Sequence, residues 1–223
     1  MKVLKFGGTS VGSADSIKKV AQIVNSEAQN GRVLVVVSAM SQITNKLLAC
    51  SQLAASGDES YKEVVKEIEL KHFEAIRDLV SIEQQSGIIA NVKVMLNQLE
   101  DMLTGVYLIE ELSPKTSDFI VSFGEQLSSL IVSHALKAEL IDSRNLIYTN
   151  KSFGGATVLY DITFKNIKAY FEKSTGNVFV APGFVASTEE GITSTLGRGG
   201  SDFSAAIYAA ASDALELQIW TDV

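Results

Sequence analysis

The run Val33-Leu34-Val35-Val36-Val37 restricts the possible folds more than any other stretch of this chain. Five successive apolar residues, four of them β-branched, cannot alternate between a wet and a dry face, so a strand built from them must be covered on both sides. A parallel sheet sandwiched between helices meets that condition. Upstream, residues 2–6 read as a short apolar strand entering Gly7-Gly8-Thr9-Ser10, after which Ile17, Val20, Ala21 and Val24 recur at helical spacing until Gly31. Together these segments form a strand–helix–strand unit.

Downstream, the spacing predicts helices over 42–56, 60–80 and 87–109, the last with Ile88, Val92, Met95, Leu99, Met102 and Val106 along one stripe. A further helix over 116–138 precedes short strands near 139–142 and 144–148, which lead to a Gly154-Gly155 turn read as a hairpin. A helix over 161–173, strands near 177–181 and 184–186, and the turn Glu189-Glu190-Gly191 follow. The loop Leu196-Gly197-Arg198-Gly199-Gly200 then opens a small-residue helix from Ser201 to Ala211, and a strand runs from Leu215 to Thr221. This alternation predicts one three-layer α/β/α domain over 1–223, with a mainly parallel sheet and a mostly helical insertion at about 57–112.

Composition narrows the function. With 46% hydrophobic residues among 223 the chain can bury a sizeable core, and its net charge of -7 argues against nucleic acid, which a basic face would have to meet. Cys50 is the single cysteine, so no intrachain disulfide is expected, and the residues after Met1 carry no apolar run suited to a signal peptide or membrane span. A cytoplasmic protein with a small-molecule partner is the expectation.

Ligands of such sheets bind beyond the carboxyl ends of the strands, where the glycine clusters fall. Lys5-Phe6-Gly7-Gly8-Thr9-Ser10 reads as a phosphate site in which the glycines admit an anion and the next helix aims its free amides at it. The lysine precedes the glycines, unlike the common phosphate loop; the plain alternative is a snorkelling edge lysine. In Leu196-Gly197-Arg198-Gly199-Gly200-Ser201-Asp202, Arg198 offers a planar fork for a carboxylate, and Ser201 or Asp202 is placed to cap the helix. Thr44 or Asn45 has the same capping option after Ser38-Ala39-Met40-Ser41. Glu125 follows Gly124 in an apolar helix and suits a ligand amine or plain solvent, and Trp220-Thr221-Asp222 ends the last strand. His72, His134 and Cys50 read as structural, with no metal-ligand spacing among them.

These five segments, in this order, resemble the amino acid kinase family and specifically aspartate kinases. The resemblance rests on Lys5 to Ser10, Ile43-Thr44-Asn45, Gly124-Glu125, Leu196 to Asp202 and Trp220 to Val223, nearly the whole chain. It implies phosphoryl transfer from ATP with Mg²⁺ to the side-chain carboxylate of L-aspartate, the first step toward lysine, threonine and methionine. It implies that Lys5 and Asp202 act in catalysis and that Thr44, Glu125, Arg198 and Ser201 hold aspartate. Lys5, Gly7, Gly8, Thr221 and Asp222 would bind the nucleotide. Aspartate kinases continue beyond the position of Val223, so the resemblance also implies a C-terminally truncated substrate lobe without its nucleotide lobe and regulatory domains, weak in ATP binding and weakly active or inactive by itself. The complete protein is expected to be a homo-oligomer. Segments 117–121 and 201–206 are similar to the kinase part of enzymes fused to homoserine dehydrogenase. A kinase for another acidic substrate such as acetylglutamate, or a non-catalytic amino-acid-sensing subunit, are the competing readings.

Overall fold

The structure, a computed structural model, describes residues 1–221. Its centre is a fully parallel five-stranded sheet in the order β3-β5-β2-β1-β8. The strands are β1 (Lys2–Phe6), β2 (Val33–Val37), β3 (Glu139–Leu140), β5 (Val178–Pro182) and β8 (Glu216–Trp220). The all-apolar β2 takes the middle position with all five side chains at 0% exposure, each contributing about 1.5–3 kcal/mol of burial.

Helices cover both faces. On one side α1 (Ala14–Ala28), α2 (Ile43–Ala55), α3 (Tyr61–Leu79), α4 (Ile82–Ile109) and α5 (Pro114–Leu136) share a core with Leu4, Phe6, Val33, Val35 and Val37. On the other, α6 (Tyr160–Lys173) and α7 (Gly200–Ala211) pack with Val3, Leu34, Val36 and Phe179. This is the three-layer α/β/α arrangement expected, and each strand sends alternate side chains into the two cores. Helices α3 and α4 share the core of α1, α2 and α5. By length and composition α5 would cross a bilayer, but 78% of its most apolar stretch is buried within the fold.

Several local expectations need correction. The predicted strand at 144–148 is largely a 3-10 turn over Ser143–Asn145, and β4 is only Tyr148–Thr149. The hairpin at Gly154-Gly155 forms only as one antiparallel bridge, Thr149 with Val158, flanked by the Asn150 amide on the Thr157 carbonyl at 2.9 Å and the Leu159 amide on the Tyr148 carbonyl at 2.8 Å, while β4 joins a second sheet. That second sheet, β4-β6-β7, includes β6 (Val185–Thr188) and β7 (Thr193–Thr195). The segment β7 went unpredicted: its sequence Thr-Ser-Thr has no apolar signal, yet all three residues are buried through pairing with β6. Finally, α4 begins at Ile82, five residues before the apolar stripe implies.

Candidate functional site

The carboxyl ends of β1, β2 and β5 open onto a cleft of about 600 Å³. Gly8, the segment from Ser38 to Asn45, the Ser117–Glu125 part of α5 and the turn Gly197–Asp202 form its walls. Gly124 lets the Ser38–Ser41 loop approach α5: a Cβ there would lie 2.8 Å from the Ala39 Cβ and 3.3 Å from Leu47 Cδ1. That close approach brings the Ala39 backbone amide to the Glu125 carboxyl.

Two helices start at the cleft in an unusual way. The N-cap of α2 is Gln42 at φ 68 and that of α7 is Gly199 at φ 74, and neither makes a side-chain capping bond. Thr44, Asn45, Ser201 and Asp202 therefore lie inside the first turns and do not cap, contrary to the sequence reading. The left-handed cap residue swings the chain into the helix without offering an acceptor, so both positive helix ends face the cleft uncapped, an arrangement that favours anions. The glycine turn after β1 behaves differently. Helix α1 begins only at Ala14, with Ser13 capping the Ser16 amide at 3.2 Å, so it does not aim free amides at Gly7-Gly8 as expected. The Gly7 amide is spent on the Trp220 carbonyl at 3.1 Å, and Gly8 lines the cleft while Gly7 does not.

Charge in the cleft is arranged by depth. Lys5 is 7% exposed, which removes the edge-lysine alternative, and its Nζ meets Asp202 Oδ1 at 2.7 Å. The pair forms because Lys5 shares a strand face with Val3, the face on which α7 packs. Asp202 remains half exposed, its side chain at 51%. Glu125 is 4% exposed, and burial pushes its carboxyl up to about 8 against the pull of the Ala39 amide and Lys5. Its Oε2 is buried without a hydrogen-bond partner. Arg198 is exposed between Gly197 and Gly199, both at positive φ, and makes no ion pair among the described residues.

Lys5, Gly8, Thr44, Glu125, Arg198, Ser201 and Asp202 thus share one cleft. Thr221 lies elsewhere: its carbonyl accepts the Ser10 hydroxyl at 2.9 Å, tying the end of β8 to the glycine turn. Asp222 falls outside the described residues. The sequence reading assigned no role to Ser38, Ser41, Asp118, Gly154, Phe184 or Thr195, which also line the cleft. Asp118 carried a usable signal, being an acid seven residues before Glu125 and so two helical turns away on the same face. His72 is fully buried, donating from Nδ1 to the Ile68 carbonyl at 2.7 Å. Among the described residues no cluster of three or more His, Cys, Asp or Glu side chains could hold a metal ion.

An uncapped pair of helix ends, a buried lysine, an unpaired guanidinium and a buried carboxyl can together hold a small zwitterion beside a phosphate. Comparison with known proteins points the same way. Residues 1–223 match the amino acid kinase family. The chloroplastic bifunctional aspartokinase/homoserine dehydrogenase 1 of Zea mays is 35% identical over 229 residues, covering 99% of this chain and 25% of that protein. Lysine-sensitive aspartokinase 3 of Escherichia coli is 33% identical over 236 residues, covering 99% of this chain and 49% of the relative. The crystal structure of E. coli aspartokinase III in complex with aspartate and ADP has a TM-score of 0.89 at 33% identity, covering 100% of this chain and 49% of that one. The chain therefore spans about a quarter to a half of the length of these relatives. With every residue from 1 to 223 matched, and a parallel sheet whose strand ends carry the glycine turns, this chain belongs to the amino acid kinase family.

Proposed function

We propose that this chain is the substrate-binding part of an aspartate kinase, which transfers the γ-phosphoryl group of ATP to the side-chain carboxylate of L-aspartate to give 4-phospho-L-aspartate and ADP. The observation that carries the reading is the pairing of opposites in one cleft. Glu125 presents a buried, unpartnered oxygen, and Arg198 presents an open guanidinium. A substrate with both a free ammonium and a free carboxylate answers both. Acetylglutamate, whose amine is acylated, leaves Glu125 without a cationic partner. The E. coli relative crystallised with aspartate and ADP supports the same choice of ligands.

In this mechanism Arg198 takes the α-carboxylate, Glu125 the ammonium, and Thr44 and Ser201 add hydroxyl contacts in the uncapped first turns of α2 and α7. The side-chain carboxylate, ionised at pH 7, needs no general base. One of its oxygens forms a bond to the γ-phosphorus while the bond from that phosphorus to the bridging oxygen breaks, and ADP leaves with the electron pair. Lys5 neutralises charge gathering on the transferred phosphoryl oxygens, beside Gly8 on the cleft wall. Asp202 balances Lys5, and its exposure lets an incoming phosphate compete for the lysine. Mg²⁺ carried by ATP would neutralise phosphate charge. Asp202 is the half-exposed carboxylate available to it, since Asp118 and Glu125 are buried. Thr221, which follows the end of β8, and Asp222 are proposed to contact the nucleotide.

Trapping the acyl phosphate with hydroxylamine tests the proposal in the complete protein supplied with Mg-ATP. Aspartate-dependent hydroxamate is the expected product. Turnover of acetylglutamate in its place refutes the choice of substrate, and aspartate binding without product supports an amino-acid-sensing subunit.

A further inference from the structure

We propose that Asp118 is a positioning residue that holds the Arg198 turn in register with Glu125, and so sets the spacing between the groups that grip the two ends of an amino-acid substrate. The inference rests on the reading of the cleft given above. Asp118 is 2% exposed and lines the cleft from the same face of α5 as Val121 and Glu125. Three donors from two other segments converge on its carboxylate. The Gly154 amide reaches Oδ1 at 3.0 Å and Oδ2 at 3.1 Å, the Thr195 amide reaches Oδ2 at 3.0 Å, and the Thr195 hydroxyl donates to Oδ1 at 2.8 Å. No cation pairs with it among the described residues, so these hydrogen bonds alone satisfy a buried carboxylate.

Both anchored segments lead to Arg198. Thr195 ends β7 three positions before it. Gly155 packs on the turn itself, where a Cβ on Gly197 would stand 3.2 Å from the Gly155 Cα. The Thr195 carbonyl closes the circuit by accepting the Ala156 amide at 2.9 Å. Within the turn, Gly197 at φ 72 and Gly199 at φ 74 give the backbone around Arg198 little stiffness of its own. Its position must therefore be imposed from outside. Helix α5 imposes it through Asp118, and the same rigid helix carries Glu125 two turns further on.

The contact geometry separates positioning from charge. An Asn at 118 keeps most of the circuit: its carbonyl oxygen in the Oδ2 place accepts both amides and its NH₂ donates to the Thr195 hydroxyl, and only the Oδ1 branch of the Gly154 contact is lost. An Ala loses every contact. Calorimetry on the complete protein should show Asp118→Ala weakening aspartate binding at least tenfold, ADP binding within twofold of wild type, and Asp118→Asn within threefold for both ligands. A general structural defect would weaken both ligands together. Should Asp118→Ala fail to fold, Thr195→Val removes the shortest of the contacts at nearly constant shape, and about threefold weaker aspartate binding with unchanged ADP binding is expected. Aspartate binding unchanged in the variants, ADP affinity lost in parallel, or a tenfold loss in Asp118→Asn overturns the assignment. A wild-type protein that does not bind aspartate overturns the aspartate kinase reading instead. The role of Asp118 would then be tested by hydrogen exchange, faster for the 154–156 and 195–200 amides in Asp118→Ala than in Asp118→Asn, and equal exchange would overturn it.

Discussion

Replacing Glu125 by glutamine isolates the most strongly perturbed acid in the cleft. Burial holds its carboxyl at about 8 in the folded protein, against an ordinary value of 4.5 once unfolded. Between those values the native state keeps a proton that the unfolded chain has released, so stability falls as pH rises through the window. At about 1.4 kcal/mol for each pH unit the full interval amounts to about 5 kcal/mol, present below pH 4.5 and lost by about pH 8. The substituted glutamine has the same size and no proton to hold, so it cancels the other contributions in the comparison. Urea unfolding of both proteins from pH 5 to pH 8 should show the wild type losing about 4 kcal/mol relative to Glu125→Gln. Saturating aspartate should flatten that slope, because a bound ammonium favours the ionised carboxylate. A stability difference constant within about 1 kcal/mol over this range would refute the reasoning.

Aspartate binding at pH 7 should release close to one proton as Glu125 ionises against the ammonium, measurable from calorimetry in two buffers of different ionisation enthalpy; no release would mean that Glu125 does not meet the amine. Burial depresses His72 to about 4, below its ordinary 6.5, so its contribution has the opposite sign: stability falls as pH drops from 6.5 toward 4, by about 3 kcal/mol, and His72→Leu should remove that acid slope in urea unfolding. Gly124→Ala, with no room beside Ala39, should cost about 1–3 kcal/mol of stability and weaken aspartate binding by displacing the loop that meets Glu125, both read in one thermal-shift titration. Arg198→Ala should leave thermal stability unchanged, since the side chain is exposed, while raising the aspartate KM at least tenfold in the hydroxylamine assay.

Much of this molecule was legible in the residue order because secondary structure follows local periodicity. The double-sided burial of Val33–Val37, the apolar stripe of α4 and the small-residue helix after Gly200 each announce themselves within a few residues of chain. Lys5 just ahead of Gly7-Gly8 and the glycine-flanked Arg198 were likewise visible as motifs, since motifs are patterns of neighbours. Other features depend on contacts between distant segments. Thr193–Thr195 is a strand because β6 pairs with it, and β3 is held in the main sheet by its parallel partner β5. The uncapped start of α2 depends on a left-handed backbone at Gln42 that its side chain does not announce, whereas Gly199 before α7 is a residue that takes such an angle readily. The tertiary structure alone set Lys5 against Asp202, left Glu125 buried with an unsatisfied oxygen, and made Asp118 the meeting point of three donors. A residue's local sequence indicates what it can donate, accept or bury, but only the packed fold determines which groups from elsewhere in the chain it meets and how much water is left between them.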